Sequence, residues 1–126
     1  MKISIIIPAN NEEKTLKKCP DSIKSADLPS NIELEIIVVL NSCTDMTGKI
    51  AILYGSKIFN DDSRCLSQIR NKGVEYATGK IIVTIDADSW MSQNMLIDIY
   101  NSLTTNKYIG GGVKVFPERY SLDINV

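Results

Sequence analysis

The 126-residue chain has the length of a single domain and can bury an ordinary hydrophobic core without disulfide staples. Its composition, 44% hydrophobic, 23% charged and 6% aromatic, is that of an average globular protein and excludes disordered and disulfide-scaffold classes. Fourteen basic against fifteen acidic residues leave a net charge of −1, so no global charge argues for nucleic acid or an anionic membrane.

The first apolar run, Ile3 to Ile7, predicts a strand over residues 3–9. It is too short for a signal-peptide core and stops at Pro8, soon followed by Glu12 and Glu13. No later run reaches membrane-spanning length, and the expected setting is the cytoplasm. Leu16, Cys19 and Ile23 keep helical spacing, but Pro20 cannot donate to Leu16. A kink is expected there, or a short first turn that restarts at Pro20-Asp21. A second strand over 35–40 precedes a helix that starts behind a cap at Thr44 or Asp45 and stops at Gly55. Next come a strand over 57–60, a helix from about 63 to 77 and a strand over 80–85. Leu96, Ile99, Tyr100 and Leu103 then fall at i, i+3, i+4 and i+7 of a helix, and a last strand spans 108–116. Ile5-Ile6-Ile7, Ile36-Ile37-Val38-Val39 and Ile81-Ile82-Val83 are continuous rather than alternating, as in strands covered on both faces. The predicted class is α/β, with alternating βα units forming a mostly parallel sheet and helices on both faces.

Ligands of such sheets sit beyond the carboxyl ends of the strands, which singles out loops 8–13, 41–45, 60–64 and 86–90. The first has no glycine, which disfavours a dinucleotide fingerprint or a P-loop; it offers amides and carboxylates instead. Glu12 and Glu13 would also suit the positive end of the following helix. The fourth contains Asp86-Ala87-Asp88, two carboxylates that an extended backbone projects to one side. Such hard oxygen donors suit Mg²⁺ or Mn²⁺ held together with substrate phosphates. Asp88 or Ser89 could equally cap the next helix. The absence of histidine excludes His-based triads, bases and zinc sites. Cys19, Cys43 and Cys65 have no metal or redox spacing and read as buried or half-buried free thiols of a reducing cytosol.

Three segments occur in order: SIIIPANNEE from Ser4, EIIVVLNSCTD from Glu35 and RNKGVEYATGKIIVTIDADS from Arg70. With them the chain resembles glycosyltransferase family 2, the inverting family with the nucleotide-sugar-binding GT-A fold, from Ile3 to about Pro117. The resemblance implies that Pro8, Ala9, Asn10 and Glu12 face the nucleotide base and ribose, and that Asn41 lies near the base. Asn10 replaces the family's usual aromatic, and Leu40 stands where many members have an Asp that recognises uracil. Asp45 fits a helix cap better than a ligand. Arg64 or Arg70 could reach the base or diphosphate, or could sit on a solvated helix face. Asp86 matches the carboxylate near ribose and metal, Asp88 the direct metal ligand, with Ala87 between them in the donor site.

The implied reaction is a single displacement at the anomeric carbon of a nucleoside-diphosphate sugar by an acceptor hydroxyl, with a carboxylate base. In the family that base lies well after the Asp-x-Asp, and the late acids Glu118 and Asp123 stand in no base motif. The expectation is therefore one nucleotide-sugar-binding domain, cut short before its acceptor segment and incomplete by itself. A non-catalytic nucleotide-binding module is an alternative. A receiver-type phospho-acceptor domain, with Lys114 as its late lysine, is another, although its acids should end the first and third strands. Val113, Val115 and Phe116, behind Gly110-Gly111-Gly112, suggest an uncovered strand that pairs two chains, with Tyr120 to Val126 exchanged.

Overall fold

Strands and helices alternate along the structure, a computed structural model that describes residues 1–105. In chain order they are β1 (Lys2–Ala9), α1 (Lys18–Ser25), β2 (Glu33–Leu40), α2 (Thr47–Leu53), β3 (Lys57–Asn60), α3 (Leu66–Tyr76), β4 (Ile81–Thr84) and α4 (Met95–Thr105). All the strand pairs are parallel, in the order β3-β2-β1-β4. β1 lies inside the sheet, with Ile5 opposite Ile36 on one side and Val83 on the other.

Alternation along the strands divides the core in two. Ile3, Ile5 and Ile7, with Ile36 and Val38, pack against Ile23 of α1, Ala51 of α2 and Leu96 and Ile99 of α4. Ile6, Ile37 and Val39, on the opposite face, meet Ile69 of α3. Both faces are covered, which explains why the isoleucine runs do not alternate with polar residues. α3 comes closest to the sheet at Gly73, where a Cβ would stand 2.4 Å from Ile6 Cγ2. Alanine is the better helix former, yet here it must push α3 off β1. We expect Gly73→Ala to lose about 1–3 kcal/mol in urea denaturation; equal or greater stability would contradict this contact.

Several boundaries differ from the sequence expectation. α1 begins at Lys18, after a separate turn in which Thr15 N and Leu16 N donate to Glu12 O. Pro20 therefore sits in the first turn, where its missing N–H removes no intrahelical bond. The helix restarts just ahead of Pro20, close to the expected restart at Pro20-Asp21. α2 ends at Leu53, close to the expected stop, and Gly55 takes the left-handed φ of 83° that follows. α4 begins only at Met95, so neither Asp88 nor Ser89 caps it. The strand expected over 108–116, the acids Glu118 and Asp123, and the proposed C-terminal pairing lie outside the described residues. Among those described, no helix is long and apolar enough to cross a membrane.

The amino end of the sheet is closed by a polar cluster that its sequence did not advertise. Ser4 Oγ donates to Glu35 Oε1 at 2.7 Å, and Lys57 Nζ reaches Glu35 Oε2 at 2.6 Å. Thr78 adds its backbone N–H at 3.0 Å, and Gly79 N donates to Ser4 Oγ at 2.8 Å. Glu35 is buried; burial alone would raise its carboxyl, but Lys57, Thr78 and Ser4 outweigh that and hold it down to about 2.

Candidate functional site

The chain proceeds outward from β1 to β2 and β3, then returns across the sheet to lay β4 on the other flank of β1. Where strand order reverses, the loops leaving adjacent strands diverge and open a crevice. A cleft of about 260 Å³ lies there. Pro8, Ala9, Asn10 and Glu12 line it from β1 and its loop, and Asn41 from the end of β2. Asp86, Ala87 and Asp88 line it beyond β4, and Leu66 and Ile69 of α3 add an apolar wall. Leu40 belongs to the core under α2 and presents no wall to the cleft.

Three of the loops turn on left-handed residues that are not glycine: Asn11 (φ 50°), Ser42 (φ 51°) and Arg64 (φ 61°). Side chains bind these loops together. Asn10 Nδ2 donates to Asn41 O at 2.5 Å, and Asn11 Oδ1 accepts from Thr44 N at 2.8 Å. Ser42 N donates to Asp62 Oδ1 at 2.8 Å, which ties the second loop to the third. The N-cap of α2 is Met46, without a side-chain capping bond, rather than the expected Thr44 or Asp45, although Asp45 Oδ1 still accepts from Thr47 N at 2.9 Å. The Thr47 hydroxyl bonded to Asp45 also holds that carboxyl below its ordinary value. Glu13 differs from expectation. Its carboxylate accepts from Met46 N at 3.3 Å, at the head of α2, rather than serving α1.

The Asp-x-Asp segment is a turn closed by Ser89 N donating to Asp86 O at 3.0 Å, not the extended strand end expected. α1 supports it from beneath. Cys19 Sγ lies 3.7 Å from Asp86 O, Ser22 Oγ accepts from Met91 N at 2.8 Å, and Lys18 Nζ sits 4.3 Å from the centre of the Trp90 ring. Burial first, then Asp86 and Asp88, push the Cys19 thiol up to about 12. From the other face, Arg70 Nη2 lies 3.8 Å from Asp86 Oδ1.

The sequence matches the family described as Glycosyl transferase family 2 over residues 4–123. The chain belongs to glycosyltransferase family 2. It is 31% identical over 111 residues to "Glycosyltransferase GlyA" of Streptococcus pneumoniae, covering 81% of this chain and 15% of that protein. The fold superposes on Staphylococcus aureus TarS 1-349 in complex with UDP with a TM-score of 0.75 at 26% identity, covering 85% of this chain and 33% of that one. Mycobacterium tuberculosis glucosyl-3-phosphoglycerate synthase, solved with Mn²⁺, UDP and glucosyl-3-phosphoglycerate, gives a TM-score of 0.67 at 26% identity, covering 82% of this chain and 40% of that one. The chain thus spans well under half the length of these relatives. Its fold is that of the GT-A glycosyltransferases.

Within this family 2 domain, eight of the ten residues singled out from sequence line the one cleft; Arg64 and Arg70 do not. Arg70 nonetheless reaches Asp86, whereas Arg64 is exposed ahead of α3. Asp86 is half-buried and Asp88 exposed, so both carboxylates are open to the cleft. No cluster of three potential metal ligands occurs among the described residues. Two hard carboxylates with open positions still fit a Mg²⁺ or Mn²⁺ whose remaining ligands are phosphate oxygens and water. All three cysteines are free, but Cys65 is exposed rather than buried, and hydrogen bonds from Ser67 and from the Gln68 backbone lower its thiol. Leu66 and Ile69 gave no sequence signal, because only the docking of α3 brings them to the cleft.

Proposed function

We propose that this chain is the donor-binding part of a family 2 glycosyltransferase that transfers a sugar, with inversion, from a nucleoside diphosphate to an acceptor hydroxyl. The observation that carries this reading is the convergence of Asn10, Glu12 and Asn41 with Asp86 and Asp88 on one cleft at the reversal of strand order. The UDP bound to TarS and the Mn²⁺ and UDP bound to glucosyl-3-phosphoglycerate synthase support the same ligand class.

Asp86 and Asp88 would hold Mn²⁺ or Mg²⁺, which when bound neutralises charge on the departing diphosphate. Arg70, on the Asp86 side, brings a fixed positive charge toward the same phosphates. Pro8, Leu66 and Ile69 offer apolar surface to the nucleoside, while the amides of Asn10 and Asn41 offer donors and acceptors to its polar edge. No carboxylate of the cleft faces the base from Leu40, so uracil is not selected by charge there. The acceptor is a glycan, a lipid or a small molecule, not nucleic acid, and the setting is the cytoplasm.

Calorimetry with UDP and with GDP, each with and without Mn²⁺, tests the reading. Binding that strengthens with Mn²⁺ is expected. Equal affinity for either nucleotide with and without the metal would overturn it.

A further inference from the structure

We infer that Asn11 is a positioning residue, whose side-chain oxygen clamps the loop after β2 to the loop after β1 and thereby sets the gap between Asn10 and Asn41. This rests on the donor-binding reading, in which that gap receives the nucleoside. Asn11 itself does not line the cleft.

Its role follows from what one oxygen does. Asn11 Oδ1 accepts from Thr44 N at 2.8 Å, from Asp45 N at 3.3 Å and from Thr44 Oγ1 at 3.4 Å. Thr44 and Asp45 precede α2 and belong to no strand or helix, so these bonds do for their N–H groups what secondary structure does elsewhere. The backbone makes the reach possible. A φ of 50° turns Asn11 out of the line of β1 and folds its side chain over the second loop. Asparagine tolerates that conformation better than most residues with a side chain.

The flanking residues depend on the clamp. Asn10, on one side, holds Asn41 O through its amide, and Glu12, on the other, donates its N–H to Thr47 Oγ1 at 2.9 Å. Both line the cleft; the Asn10 bond reaches the second loop at Asn41, and the Glu12 bond reaches Thr47 at the start of α2. The Asn10 bond is exposed and exchanges readily with water; Asn41 N, donating to Ala9 O at 2.8 Å, fixes the root of the second loop, and its outer part at Thr44 and Asp45 is left to Asn11. Asn11 places three bonds on one atom midway between them.

Two variants separate the oxygen from the backbone. Asn11→Gly keeps the left-handed φ but has no acceptor. Asn11→Asp keeps both, and its added charge near Glu12, Glu13 and Asp45 is weakened by measuring at about 1 M salt, where the screening length is about 3 Å. Amide exchange at Thr44 and Asp45 is measured by NMR, UDP affinity with Mn²⁺ by calorimetry, and the melting transition checks that each variant folds. For Asn11→Gly we expect faster exchange at both amides and UDP binding weakened about five- to tenfold, with Asn11→Asp within about twofold of the parent in both. Parental UDP affinity in Asn11→Gly, or an Asn11→Asp variant as weak as the glycine variant, would overturn the inference. Should the parent bind no nucleoside diphosphate, the donor-binding reading fails. The exchange rates then decide the clamp alone: unchanged exchange at Thr44 and Asp45 in Asn11→Gly removes it.

Discussion

Asp88→Ala is expected to abolish the Mn²⁺-dependent gain in nucleoside diphosphate affinity. Asp86 and Asp88 are the carboxylates of one turn, and no cluster of three potential ligands exists among the described residues to compensate for losing one. A divalent cation held by two carboxylates and a diphosphate loses half its protein donors, so apparent Mn²⁺ affinity should fall by about 100-fold or more. Asp88 is exposed, and the turn is closed through the backbone of Ser89 and Asp86, so the fold should survive. Calorimetric titration of UDP at saturating Mn²⁺ and in chelator reads the result. A variant that keeps the parent's metal dependence would remove Asp88 from the site. Asp86→Ala should behave differently, because it also strips Arg70 of its carboxylate partner and frees a cation for the phosphates. Its binding in chelator should therefore be no weaker than the parent's.

Glu35→Gln is expected to cause a large loss of stability, and one that depends on pH. Glu35 is held down to about 2, so its stabilising effect is fully present above the unfolded value near 4.5 and is lost as pH falls through about 2. A displacement of that size corresponds to roughly 3 kcal/mol. Lys57 is 57% exposed at its side chain and screened by water, so about 2 kcal/mol is the better expectation at pH 7. Urea denaturation of parent and variant should show this gap at pH 7, a narrowing between about pH 4.5 and 2, and near equality at the acid end. A gap that stays constant across that range would mean that the glutamine perturbs packing rather than charge.

Much of the architecture was legible because it is written in local pattern. The continuous β-branched runs of β1, β2 and β4 required burial on both faces, and Leu96, Ile99 and Leu103 of α4 could only be helical. The four loops followed from the parallel order of the sheet. What was not legible lies between loops. Glu13 reads as an acid for the next helix in sequence, yet serves α2, because the first and second loops fold against each other. Asp86-Ala87-Asp88 reads as the end of a strand, yet turns, because α1 holds the stretch from Asp86 to Met91 through Cys19 and Ser22. Leu66 carries no signal in the sequence and joins the cleft only through the docking of α3. Pro20 was legible in its second reading: a separate turn precedes the helix, which restarts at Lys18 rather than at Pro20-Asp21, and a residue that breaks helices is harmless in a first turn.

The strand order has a bearing on how the chain reaches its folded state. Ile3 aligns with Leu34 about 30 positions away and with Ile81 nearly 80 away, so docking β4 closes a far longer loop than docking β2. The added closure entropy is only about 0.8 kcal/mol, but the search for a distant partner slows the step. On a ribosome, β1, β2 and β3 emerge in order and can pair while β4 is still unsynthesised. The cleft draws Asn10 and Asn41 from the early strands and Asp86 and Asp88 from beyond the late one. Its two halves therefore come into being at different moments of synthesis, and a metal-binding signal in a refolding experiment would mark the closing event of the sheet rather than its nucleation.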